Sequence, residues 1–150
     1  MTPEIASFWR FITSSIDRLL ACLEGLDEAE LNWKPLDSAN SLYVLATHTL
    51  GNTEENLLAV LGGQAMQRRR EAEFEAEGIS AEALQARWGE LRERIEASLA
   101  RLPAEALDQP RNHPRRGQLP GREVLIIVAR HTAEHMGQAM LTRDLLESKE

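Results

Sequence analysis

A chain of 150 residues is long enough to bury a core as one domain without disulfides or a structural metal, and its 43% apolar content is ordinary for a soluble protein. The net charge of −7 argues against a general nucleic-acid binder, whose affinity comes from clustered Lys and Arg. Cys22 is the only cysteine, which excludes an intramolecular disulfide framework and fits a reducing cytoplasm. No stretch reaches the ~18 uninterrupted apolar residues of a membrane span.

The opening MTPEIASFWR has acidic and aromatic residues where a signal peptide needs a basic start and an apolar run. Thr2-Pro3-Glu4 is a helix start, with a capping hydroxyl, proline at the first helical position and a carboxylate in the first turn. Ile5, Phe8, Trp9, Ile12, Ile16, Leu19, Leu20 and Leu23 then recur every three or four residues, predicting an amphipathic helix to about Glu24, ended by Gly25. Cys22 among these leucines reads as a buried thiol rather than a nucleophile. Residues 26 to 40 read as a helical turn and a loop broken by Pro35, with Trp33 plugging one end of the fold.

Asn40-Ser41 caps a second helix that runs to Leu61 and stops at Gly62-Gly63. It is apolar nearly all round. His48 lies on the stripe Val44, Leu45, Gly51, Asn52, Glu55, Ala59, which turns polar in its middle. Gly51, one turn past His48, leaves room for a ligand or for close packing. Residues 64 to 78, with three arginines followed by alternating glutamates, read as a solvated connection anchored by Phe74. Ser80 is expected to cap a third helix whose Leu84, Trp88, Leu91, Ile95, Leu99 and Leu102 keep a near-heptad spacing suited to antiparallel packing. Residues 103 to 122 form a proline-rich connection carrying Arg111, Arg115, Arg116 and Arg122, a basic patch on an acidic chain. His113, between Asn112 and Pro114, reads as exposed.

The last helix, Val124 to Leu146, changes character midway. At about 100° per residue the stripe centred on His131 holds Val124, Ile127, Val128, Glu134, His135, Gln138, Thr142, Leu145 and Leu146, a polar island between apolar ends. Histidines at i and i+4 reach one divalent ion, and a third ligand from a neighbouring helix leaves open positions, as in catalytic sites. His48 is the other histidine expected to face the core. Hydrogen-bonded packing is the competing reading of these rings. His131 to His135 also spells H-x-x-E-H, a metalloprotease signature that needs a further acidic ligand far downstream, where this chain has few residues left. Glu134, Glu55, Asn52 and Gln138 read as supporting or plainly structural groups. With no strand-like alternation, the expectation is an all-α four-helix bundle.

Four stretches, LNWKP, SLYVLATHTLGNTEENLL, RRREAEF and GREVLIIVARHTAEHMGQAMLTRDLL, resemble the DinB/YfiT-like superfamily of bacterial four-helix proteins over most of the chain. The resemblance implies that His48, His131 and His135 form a metal triad for nickel, zinc or iron, with water in the open positions. It implies a thiol S-transferase or isomerase using a low-molecular-weight thiol, or a hydrolase, acting on a small electrophilic molecule. It also implies a homodimer. On this reading Glu55 is the candidate proton acceptor and Arg115 or Arg116 the candidate holder of an anionic group. The alternative is a non-catalytic metal-binding or dimerising stress protein.

Overall fold

The computed structural model describes residues 1–149 and is mostly helical. Helix α1 spans Pro3–Ala21, with Thr2 accepting from the Ile5 amide as its cap, and the chain turns at Gly25, where φ is +74°. The helix therefore ends three residues short of Glu24. The short α2 (Glu28–Leu31) is closed by a capping box between Asp27 and Glu30. Helix α3 (Leu42–Glu54), capped by the Ser41 hydroxyl, continues without a break as a π-helical stretch, Glu55–Leu61. Gly63, at φ +73°, lets the chain leave. A second short helix, α4 (Arg70–Glu73), precedes the long α5 (Glu82–Ala100), and α6 (Gly121–Ser148) closes the chain.

Helix α1 packs along α6, α3 along α6, and α5 along α1, α3 and the π-helical stretch. The predicted apolar faces meet in one core, with Ile5, Ile12, Ile16, Leu42, Leu50, Leu57, Ile95 and Val128 fully buried. Trp9 and Trp88 stack obliquely at 6.0 Å, and each donates its indole N–H to a carboxylate, Glu96 and Asp17 respectively. Each ring thus buries its body without stranding its donor.

Several expectations change. Ala81, not Ser80, precedes α5, and no side chain caps it. Residues 103 to 122 are not a plain loop: a 3₁₀ turn, Ala104–Leu107, leads into a hairpin of β1 (Pro110–His113) and β2 (Gly117–Pro120), antiparallel with His113 opposite Gly117. Four-residue strands bounded by prolines are too short for alternation to reveal. Strand β1 lies against the π-helical stretch, so His113 is buried at 5% exposure. Trp33 is half-buried. It lines an open apolar cavity of about 710 Å³ with Leu36, Leu141 and Leu145. Cys22 is half-buried, its thiol donating to the Arg18 carbonyl, and burial pushes its pKa up. Among the described residues no helix is long and apolar enough to cross a membrane.

Candidate metal centre

Helices α3 and α6 bring three imidazoles together. His131 Nε2 lies 3.0 Å from His48 Nε2 and 3.1 Å from His135 Nε2. One nitrogen from each ring falls in a group whose members all lie within 4.8 Å of one another. Tetrahedral bonds of about 2.0–2.1 Å would place ligand nitrogens about 3.3 Å apart, so the spacing suits a single ion.

Tautomers sharpen this fit. His48 Nδ1 sits 3.0 Å from Glu73 Oε1 and 3.3 Å from Arg68 Nη2, but that guanidinium nitrogen donates to the same carboxylate oxygen at 2.7 Å, so the shorter contact assigns the proton to Nδ1, donating to Glu73, and leaves Nε2 with a lone pair. His135 Nδ1 donates to Gln138 Oε1 at 2.7 Å, which bares its Nε2 as well. Two lone pairs therefore face His131 Nε2, and one N–H there satisfies only one of them. A cation satisfies all three nitrogens. His131 Nδ1 is buried with no hydrogen-bond partner among the described residues, so no neighbour fixes that ring's tautomer.

Burial, then the neighbouring His135, His48, Arg68 and Arg130, push the His131 pKa down to about 2. Burial also lowers His135, against the opposing bond from Gln138. Both rings are neutral near pH 7, the form that binds metal. The folded His131 pKa lies below the unfolded value near 6.5, so the unfolded chain binds more protons in acid. Metal-free protein is expected to lose about 1.4 kcal/mol per pH unit from this ring as pH falls below about 6.5. Urea unfolding of metal-free protein from pH 7 to 5 checks this, and the slope is expected to flatten in His131→Leu.

The supporting groups come from the segment that sequence reads as solvated, and that reading is corrected. Glu73 is buried at 8% exposure and accepts from Arg68 at two atoms, 2.7 and 2.9 Å, besides its bond with His48. Arg68, with only 3% of its side chain exposed, also donates to Glu55 at 2.9 Å. Glu55 in turn accepts from Arg115 at 2.6 and 3.3 Å. The chain Glu73, Arg68, Glu55, Arg115 alternates in charge and, through the bond between His48 and Glu73, ties the triad to the hairpin. Burial would raise both carboxyls, but the bonds from Arg115 and Arg68 to Glu55, and from His48 and Arg68 to Glu73, outweigh it and hold both below the usual range. Phe74 packs on the His48 ring at 4.7 Å, as its anchoring role requires.

Gly51 explains itself here: a Cβ would overlap the Glu73 carboxylate. Gly51→Ala is expected to push Glu73 off His48 and Arg68 and to cost about 1–3 kcal/mol in urea unfolding. An unchanged midpoint would show that Glu73 yields freely.

Glu134 is exposed and pairs with Arg130 at 3.6 Å, away from the triad, so the H-x-x-E-H spacing does not supply a base. Asn52 borders the site, and Arg115 is spent on Glu55 while Arg116 is exposed on the hairpin turn. Arg122 turns away to Glu4 and Asp108. Sequence reasoning misses Arg68, Glu73 and His113; the run RRREAEF, which carries part of the resemblance, is the available signal for the first two.

A family model described as the DinB superfamily matches residues 12–139. No curated protein matches. Among solved structures, a crystal structure titled as a conserved protein from Enterococcus faecalis aligns with a TM-score of 0.80 over 99% of both chains at 15% identity, a likeness of fold. With the family model spanning most of its length, this chain belongs to the DinB superfamily.

Proposed function

We propose that this chain is a single DinB/YfiT-like four-helix-bundle unit that binds one divalent transition ion, nickel, zinc or iron, through His48, His131 and His135. The observation that carries the reading is the meeting of three Nε2 atoms, two of them with lone pairs fixed by Glu73 and Gln138. An ion held by three neutral imidazoles keeps open positions and lowers the pKa of a thiol or water sharing them.

The reaction class we infer is transfer of a low-molecular-weight thiol to a small electrophilic molecule, with hydrolysis as the second reading. The residues around the triad define what the chain itself contributes. Glu73 holds His48 in one tautomer and orientation, and Arg68 keeps Glu73 ionised. Glu55, bridged by two guanidinium groups, serves as a positioning anion and not as the proton acceptor. The open apolar cavity beside Gln138 gives a small molecule a route to the His135 side. Leu36 and Leu141, 68% and 60% exposed, support pairing with a second copy, which sedimentation equilibrium checks.

Cobalt-loaded protein titrated with glutathione, bacillithiol or mycothiol tests the thiol reading. A sulfur-to-cobalt charge-transfer band, absent in His131→Ala, is expected with at least one of them. No band with any thiol removes the transferase reading, and turnover of ester or amide substrates then decides for or against hydrolysis.

A further inference from the structure

On the His131 side the triad borders a second and different cavity, of about 120 Å³, lined by His48, His131, His113, Arg70, Arg116 and Arg130. Liquid water occupies about 30 Å³ per molecule, so this space suits a headgroup of about four water-sized groups and not a drug-sized ligand of about 300 Å³ or more. Its charge is unbalanced. Arg68 and Arg115 are answered by Glu73 and Glu55. Arg116 has no carboxylate within salt-bridge distance among the described residues. Arg70 and Arg130 meet only exposed glutamates, Glu71 at 3.7 Å and Glu134 at 3.6 Å, contacts of small worth in water. Arg115 lines the cavity as well, so four guanidinium groups share it, and three of them, from α4, the hairpin turn and α6, have no buried carboxylate to answer them on a chain of net charge −7.

His113 adds a donor. Its Nδ1 accepts the Arg115 amide N–H at 3.1 Å, so the neutral ring carries its proton on Nε2. Burial, and next the Arg115 charge, lower its pKa and keep that ring neutral. The hairpin therefore places one neutral donor among these cations.

We infer that this cavity is an oxyanion subsite, taking the carboxylate or phosphate of a small organic anion on Arg70, Arg116 and Arg130 with the His113 N–H beside them. Planar guanidinium forks match either group. The far end of such an anion faces His48 and His131, and the inference rests on the metal reading only for what happens at that end. Of the two arginines expected from sequence, Arg116 keeps the anion role and Arg115 becomes its support.

Calorimetric titration of metal-free protein with succinate and with inorganic phosphate tests the subsite, with succinamide as the neutral control. At least one anion is expected to saturate and succinamide to give no signal. Binding is expected to weaken at least about tenfold in Arg116→Gln/Arg130→Gln, the loss of about one charged hydrogen bond, and to return largely in Arg116→Lys/Arg130→Lys. Arg10→Gln, on the exposed face of α1, is the charge control and is expected to bind as wild type. Far-ultraviolet circular dichroism confirms that each variant folds. No saturation by either anion, or equal affinity in the glutamine double variant, overturns the inference. The two readings fail separately: His135→Ala, outside this cavity, tests metal content, and Arg116→Gln/Arg130→Gln is expected to retain wild-type metal content.

Discussion

Arg68→Ala is expected to lower the unfolding free energy by about 3–5 kcal/mol, the usual cost of breaking a buried ion network by removing one partner. The guanidinium reaches Glu73 twice and Glu55 once, and only 3% of its side chain is exposed. Without it two buried carboxylates lose their shared counter-charge, and Glu55 keeps only the partly exposed Arg115. Glu73 either swings out, freeing His48 Nδ1, or takes up a proton. Both carboxyls have a lowered folded pKa, so their contribution is present above the unfolded carboxyl pKa and is lost as pH falls from there through the folded one. The Arg68→Ala penalty is therefore expected to shrink in acid. Urea unfolding at pH 7 and at about pH 3, below the usual carboxylate range, measures both effects. A penalty under about 1 kcal/mol at pH 7, as for a solvated surface pair, would mean that the network carries no weight.

Saturating divalent metal is expected to stabilise the wild type by about 4 kcal/mol at a free concentration 1,000 times Kd. For a chain of this length that raises Tm by about 8–16 °C. The rise is expected to vanish in His48→Ala and His131→Ala, since two remaining imidazoles bind weakly. In Glu73→Gln it is expected to be reduced, because loss of the partner that orients a ligating imidazole weakens metal binding about 10–100-fold. Differential scanning calorimetry with and without nickel or zinc reads all four proteins. An equal rise in His131→Ala would place the metal elsewhere.

Much of this was visible in the residues. The four long helices follow from 3.6-residue periodicity and from stop signals such as Gly25 and Gly62-Gly63, because local propensity and burial agree there. His131 and His135 are legible because spacing on one helix fixes which side chains share a face. His48 follows from its polar interruption of an apolar stripe. What sequence hides is pairing across the chain. Glu73 and Arg68 lie in a run whose charges alternate like a solvated surface, and only the empty space over Gly51 brings Glu73 inside. His113, flanked by Asn112 and Pro114, is buried because the hairpin folds onto the π-helical stretch, a long-range contact with no local signature. Glu134 errs in the opposite direction. It stands at the 60° edge of the sector centred on His131, and its side chain lies out in solvent with Arg130.

Three Nε2 atoms converge from α3 and α6, and on the function proposed above they hold one ion. Titration of metal-free protein with Co²⁺, followed by visible d–d absorption, tests it most directly. Saturation at one ion per chain is expected in the wild type, with intensity typical of a low-coordinate nitrogen site, and no such band in His48→Ala, His131→Ala or His135→Ala. A wild type that shows no saturable band, or a His131→Ala protein that saturates like the wild type, contradicts it.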